Sequence, residues 1–406
     1  MAAAAMADGR SALRRPLFAD DTYAMARALG ELGVEVARRD SSVVVEGKGG
    51  RLPASGAAPD GLHVLDMGDA GTPLRLIVAL CSLGRGRYRV DGSARMRQRP
   101  VRHLLDALNS LGVRARSLND DGCPPLEIEA EGFPGGHVRL EGGVSSQYLS
   151  ALLMAAPCGA ADLEVEVTGA QVSRPYVDLT LEVMRAFGAL VERENHRFFR
   201  VKAGGYQARV FPVEGDASSA SYLFAAAAIA GGSVRVTGIP ADSKQGDLGL
   251  LELFSSMGCE VSREPHHLEV RRDPAGQPVL QGIDADLGDI PDAAPTLAAV
   301  AMFARGPTRL RNIAHLRVKE SDRIEGIAAC VRALGAEAET GPDYLVVTPP
   351  EGGTAALHGG DINPEADHRL AMAFATAGLA VPGVRILDSG CVSKSFPGFF
   401  DILRSL

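Results

Sequence analysis

The sequence predicts an α/β protein of two domains, each assembled from three copies of one structural unit. A helix-glycine-strand joint recurs five times along the chain. A change of composition near residue 213 leaves three joints before it and two, with a sixth helix that lacks its joint, after it. At 406 residues and 46% hydrophobic content the chain is also long enough to bury two cores.

The joints are Leu32-Gly33-Val34, Leu111-Gly112-Val113, Phe187-Gly188-Ala189, Met257-Gly258-Cys259 and Leu334-Gly335-Ala336, and their glycines are separated by 79, 76, 70 and 77 residues. In each, an amphipathic helix meets an apolar residue and a glycine before a short alternating strand begins. Glycine there ends a helix in a left-handed cap. Chance recurrence would not hold four spacings so close, so the period is read as a period of structure. Each repeat also carries a second helix, a strand pair and polar turns, close to a βαβαββ arrangement. A last helix over 398–406 ends the chain where another glycine and strand are due, so the sixth unit lacks its closing strand unless the N-terminus supplies one. The polar, hairpin-like stretch 192–213 is followed by Glu214-Gly215-Asp216-Ala217-Ser218-Ser219 and a strongly apolar helix. Domains are therefore expected at 1–213 and 214–406, with a cleft between two pseudo-threefold bodies.

Composition narrows the function. The longest apolar runs, Tyr148 to Pro157 and Tyr222 to Gly231, fall short of the roughly 20 residues a membrane span needs, and no membrane partner is expected. The alanine-rich start lacks the basic and hydrophobic parts of a signal peptide, which predicts a cytoplasmic protein. Six scattered cysteines without a C-x-x-C pair argue against a zinc site or disulfides, so they are expected reduced and mostly buried. A net charge of -8 disfavours nucleic acid as a partner. An anionic ligand must then be met by local clusters of cations.

Such clusters exist. Arg317-Val318-Lys319-Glu320-Ser321-Asp322-Arg323 packs three cations among carboxylates and a hydroxyl just before an apolar helix; it is either a solvated N-terminus capped by Ser321 or Asp322, or an anion site. Gly68-Asp69-Ala70-Gly71-Thr72-Pro73-Leu74-Arg75 opens a helix whose free amides suit an anion, with Arg75 either reaching the ligand or bracing the loop. Arg95, Arg97 and Arg99 alternate ahead of Pro100, taken as a helix start, and an extended stretch would turn all three to one face. Ser145-Ser146-Gln147 and Ser173-Arg174-Pro175-Tyr176 precede helices as caps or as phosphate-binding hydroxyls. Asp292 in Ile290-Pro291-Asp292-Ala293-Ala294 is either a cap or a proton acceptor facing cations. Asp367-His368-Arg369 and Cys391-Val392-Ser393-Lys394-Ser395 suit neither a metal cage nor a serine-histidine-aspartate triad.

Taken together and in this order, these segments resemble the 5-enolpyruvylshikimate-3-phosphate synthase family over about Leu17 to Leu406. The resemblance implies the two-domain enolpyruvyl transferase fold, an inside-out α/β barrel in each domain with three βαβαββ units about a pseudo-threefold axis. It implies transfer of the enolpyruvyl group of phosphoenolpyruvate to the 5-hydroxyl of shikimate 3-phosphate in aromatic amino-acid biosynthesis, as glyphosate's target. No metal or other cofactor is implied, only small-molecule substrates and a monomer. Matched position by position, Ser145, Ser146, Gln147, Ser173, Tyr176, Asp292 and Lys319 would hold shikimate 3-phosphate. Gly71, Arg99, Gln147, Arg323, Arg369 and Lys394 would hold phosphoenolpyruvate. Asp292, Lys319, Glu320 and His368 would be catalytic, Asp292 as base and Glu320 as the proton carrier at the methylene carbon.

The chain departs from the family pattern in two places. Family members begin with a strand and a Lys-Ser-x-x-x-Arg motif ahead of an apolar helix, whereas Met1 to Gly9 matches only the rest of that helix. The chain is thus expected to be truncated relative to the family, and domain 214–406 to lack the N-terminal strand that completes it. With those contacts missing, at about 2.7 to 4 kcal/mol for a preorganised donor, weak catalysis is expected; the alternative is a catalytically silent relative binding shikimate 3-phosphate or a similar anion. Asp69 stands where the family has asparagine, a carboxylate beside an anion site.

Overall fold

The computed structural model describes residues 1–52, 61–273, 275 and 279–406. They form two compact units, Met1–Val213 and Glu214–Leu406. Each has its own apolar core.

In the first unit one sheet pattern occurs three times. Strand Leu62–Asp66 runs parallel to Arg85–Asp91, which pairs antiparallel with Leu126–Glu131, which pairs antiparallel with Arg114–Ser117. Gly136–Glu141, Leu163–Thr168, Phe198–Val201 and Val191–Glu194 repeat that order. In the third sheet Ala7–Arg14 takes the second place, antiparallel to Ser42–Lys48, which pairs with Glu35–Arg39. Its parallel neighbours, Tyr206–Gln207 and Val210–Pro212, come from the far end of the unit and so close it.

The second unit has one complete copy, Asp284–Asp286, Thr308–Arg311, Tyr344–Thr348 and Glu337–Thr340. Among the described residues its other two sheets are shorter: the antiparallel trio Gly232–Thr237, His267–Arg272 and Glu260–Glu264, and the parallel pair Asp361–Ile362 and Arg385–Ile386. The first strand of the chain lies wholly in the first unit's sheet.

Two kinds of helix fill each repeat. The first is apolar on nearly every side and buried, as in Gly71–Cys81, Ser146–Ala155, Ala217–Ala230, Ala294–Ala301 and His368–Ala377. The second is striped, as in Arg102–Ser110, where Leu104, Leu105, Ala107 and Leu108 are buried between polar positions. In the second unit the three buried helices pack against one another pairwise, with the sheets outside them. Their starts carry most of the chemistry described below.

All five joint glycines adopt the left-handed conformation, with φ of 78, 89, 87, 109 and 90° at Gly33, Gly112, Gly188, Gly258 and Gly335. Strands begin two or three residues later, at Glu35, Arg114, Val191, Glu260 and Glu337. Helix starts are less regular than expected. Pro100 does not open a helix; the chain turns through Val101 and the helix begins at Arg102. Arg95, Arg97 and Arg99 do not share a face, because a 3-10 turn over Met96–Gln98 replaces the extended stretch. All six cysteines are free; three are buried and three partly so. No helix among the described residues is long and apolar enough to cross a membrane.

Gly112 isolates the value of the joint, since a Cβ there would meet nothing within 4 Å and only its φ of +89° opposes a side chain. Gly112→Ala is expected to lower stability by about 1 to 2 kcal/mol and Gly112→Asn by less, read from urea unfolding midpoints. Equal stability of all three proteins would contradict the left-handed joint.

Candidate active site

The second unit buries a guanidinium among carboxylates. Arg323, the first residue of its helix, is 1% exposed and donates through Nε to Asp367 (2.8 Å), through one terminal nitrogen to Asp292 (2.8 Å) and through the other to Glu320 (2.7 Å). Three separate chain segments supply these acceptors. Asp292 lies in a 3-10 turn just before the helix Ala294–Ala301, Glu320 sits three residues before Arg323, and Asp367 caps the helix His368–Ala377 by accepting from the Arg369 amide. Asp292 accepts again from Arg369 at 2.9 Å. Asp292 is therefore not a cap but a partly buried bridge between two arginines.

The fields in the cluster follow. Burial pushes the Asp292 carboxyl up, but Arg369, Lys319 and Arg323 outweigh it and hold the group well below the usual carboxylate range. His368 is buried, its Nδ1 stands 3.9 Å from Asp367 without a hydrogen bond, and burial followed by Arg369 pushes it down to about 3. Lys394, buried at the end of the Ser389–Lys394 turn, also acts on His368, as does Glu320. The seven residues expected in this domain, Asp292, Lys319, Glu320, Arg323, His368, Arg369 and Lys394, thus stand in one electrostatic cluster. Arg317 stands apart, donating to Asp322, Glu325 and the Gly341 carbonyl, and Asp322 is the helix cap.

In the first unit two buried helices start side by side. Gly71 and Thr72 open one, and Gln147, in the first turn of the other, donates to the Thr72 hydroxyl at 2.8 Å. Ser145 caps the second by accepting from the Gln147 amide, and Ser146 is buried behind it. Arg99 is buried, its guanidinium so near Gly71 that a Cβ there would stand 2.7 to 2.9 Å from it. Arg75 braces this corner, donating to the Gly71 carbonyl at 3.0 Å and the Pro100 carbonyl at 3.2 Å, while Tyr148 donates to Pro100 at 2.6 Å. Asp69 accepts from the Ser93 hydroxyl. Ser173 stands before the helix Arg174–Ala186 but makes no capping bond; its backbone is left-handed, with φ of 55°, rather than in the extended form of a capping residue. Tyr176 lies in the first turn of that helix, which packs on Ser146–Ala155. Of the other two arginines, Arg97 is paired with Asp91 and Arg95 with Gln98.

Two residues of the second cluster escaped the reading of the sequence. Asp367 was seen only as part of a motif, yet it is fully buried beneath Arg323. His315, four residues before Lys319, is 8% exposed with Nε2 unpaired, and burial followed by Lys319 pushes it down to about 4. Its position at helical spacing from Lys319 was the available signal. Among the described residues no group of His, Cys, Asp or Glu is arranged to hold a metal.

Helix starts carrying serine, glycine and arginine, and a buried nest of cations held by carboxylates, define a protein that handles small, highly charged anions. The EPSP synthase family model, described as 3-phosphoshikimate 1-carboxyvinyltransferase, matches residues 1–403. Relatives named 3-phosphoshikimate 1-carboxyvinyltransferase include one from Sulfurovum sp., 43% identical over 99% of this chain and 92% of its own length, and one from Bordetella petrii, 44% identical over 99% and 90%. The solved EPSP synthase of Acinetobacter baumannii superposes with a TM-score of 0.78 at 25% identity, covering 99% of this chain and 91% of its own. The chain belongs to the EPSP synthase family.

The two buried imidazoles set a pH dependence. Their folded values lie below the ordinary 6.5, so the folded state resists protonation; the stability this confers is complete above about pH 6.5 and is lost as pH falls toward 4 and 3. Each contributes a slope of up to about 1.4 kcal/mol per pH unit in that window. Urea midpoints are expected to fall between pH 7 and 5, and His315→Gln to recover part of the difference. A loss of the same size in the variant would exclude His315 as a source.

Proposed function

We infer that the chain carries out the reaction of its family, joining the enolpyruvyl group of phosphoenolpyruvate to the 5-hydroxyl of shikimate 3-phosphate and releasing phosphate. The observation that carries this reading is that Asp292 and Glu320, the proposed base and acid, are held by the same guanidinium, with Lys319, Arg369 and Lys394 acting in the same cluster. Nothing in the comparisons favours the silent alternative.

In this reading Glu320 delivers a proton to the methylene carbon while Asp292 takes the proton of the 5-hydroxyl, and the oxygen bonds to the neighbouring carbon to give a tetrahedral intermediate. Loss of a methyl proton to a carboxylate and departure of phosphate restore the double bond. Protonating that carbon creates positive character, so the acid must stand beside it while fixed cations hold the carboxylate and phosphate. Arg323, Arg369, Lys394, Arg99, Gln147 and the amide end at Gly71 take phosphoenolpyruvate. Ser145, Ser146, Gln147, Ser173, Tyr176, Asp292 and Lys319 take shikimate 3-phosphate. His368, kept neutral by burial, offers a donor or acceptor without adding charge. Lys319 steadies the oxygen as its proton leaves. We further propose 1–213 as the shikimate 3-phosphate-binding domain, a monomeric state and a cytoplasmic location.

The direct test is phosphate release from the purified chain. Release that requires both substrates and is lost in Asp292→Asn supports the reading; release from phosphoenolpyruvate alone, or none with no binding of either substrate, refutes it. A second expectation concerns Gly71. Because an added methyl group would press on the Arg99 guanidinium at 2.7 to 2.9 Å, Gly71→Ala should raise KM for phosphoenolpyruvate about tenfold or more, equivalent to about 1.4 kcal/mol, and leave KM for shikimate 3-phosphate unchanged. A reversed pattern would place Arg99 on the other substrate.

A further inference from the structure

The buried helix Ala217–Ala230 carries a polar group that the reaction above does not use. Tyr222 is 0% exposed, and its ring is held edge-on to Phe399 with centroids 5.9 Å apart at 77°. Its helix packs on His368–Ala377, whose second residue is Arg369. The hydroxyl is sealed from solvent and completes no hydrogen bond among the described residues. A buried hydroxyl left so costs about 1 to 3 kcal/mol, and phenylalanine would fill the same space without that cost. The charges that reach the hydroxyl are Arg369 first, then Arg323 and Asp367. It faces the cation cluster, and Arg369 is the side chain near enough to bear on it as a hydrogen-bond donor.

We propose that the Tyr222 hydroxyl is a positioning group for Arg369, accepting a guanidinium N–H when that side chain turns to grip phosphoenolpyruvate. The proposal rests on Arg369 being a ligand of that substrate. Arg369 already donates to Asp292, and a guanidinium has further donors to orient. Another carboxylate would hold it as firmly but would cancel the charge that an incoming anion needs. A phenol orients without neutralising, and burial keeps this one protonated by pushing its ionisation far above the ordinary range. Asp292, Asp367 and Glu320 neutralise; Tyr222 aims.

Tyr222→Phe removes the oxygen and nothing else. KM and Kd for phosphoenolpyruvate are expected to rise roughly tenfold, the loss of one charge-assisted hydrogen bond, with kcat and the KM for shikimate 3-phosphate unchanged. In an Arg369→Lys background the same change should add nothing further, because an ammonium lacks the planar fork that the phenol would align. A hydroxyl that is only packed predicts another result: a higher urea midpoint and unaltered phosphoenolpyruvate constants, which would overturn the proposal, as would full additivity in the double variant. Should Arg369→Lys itself leave phosphoenolpyruvate affinity intact, the assignment of Arg369 fails, separately from that of Tyr222.

Discussion

Burial of Arg323 is the constraint on which the second unit's chemistry turns. An arginine at 1% exposure loses its hydration and stays charged only if its donors are met. Here Asp367, Asp292 and Glu320 meet them from three directions. Removing any acceptor would leave an uncompensated buried charge, a loss of about 3 to 5 kcal/mol in comparable cases. The same requirement ties the starts of two buried helices and the segment ahead of a third to one point. The proposed catalytic geometry and folding stability therefore share their atoms.

Charge balance leaves the cluster suited to the proposed anions despite those carboxylates. Arg323, Arg369, Lys319 and Lys394 are four cations, Asp292, Glu320 and Asp367 are three carboxylates, and His315 and His368 are kept neutral by burial. With Glu320 ionised one positive charge remains, and with Glu320 carrying the proton it would deliver there are two, in a desolvated place where charge counts for more than at the surface. The chain as a whole carries a net charge of -8, so the attraction is local. The first unit uses other means, with the amide ends of two helices and the buried Arg99 beside them.

What the sequence disclosed followed from how local each determinant is. The joint glycines were legible because a left-handed cap is decided within a few residues, and all five adopt it. The sheets followed from the period, and the third sheet's closure by residues 206–212 did not, since a two-residue strand leaves no pattern to read. Arginines 95, 97 and 99 misled because alternation implies a shared face only in extended chain, and the 3-10 turn broke it. Asp322 was legible as a cap, whereas Ser173 occupies the capping position with its backbone turned left-handed, a choice made by tertiary packing. Asp367 and Tyr222 stayed hidden because their significance lies in being buried beside charges far away in the chain, and His315 because its burial beside Lys319 is set by packing. Motif resemblance supplied the proposed reacting groups, and the structure displays the charges and burial around them.

The state of Asp292 shows how this balance bears on catalysis. A carboxylate held far below its ordinary range by Arg369, Lys319 and Arg323 is a feeble base. Of those cations, Arg369 and Arg323 are the ones that a phosphoenolpyruvate carboxylate and phosphate would engage in the proposed reading. As the substrate's negative charge arrives, the field that depresses Asp292 weakens and its affinity for a proton rises. Basicity would then develop only when the second substrate is in place, which protects a bound acceptor hydroxyl from premature deprotonation. In the proposed reading one set of guanidinium groups answers first to the protein's own carboxylates and then to the ligand's.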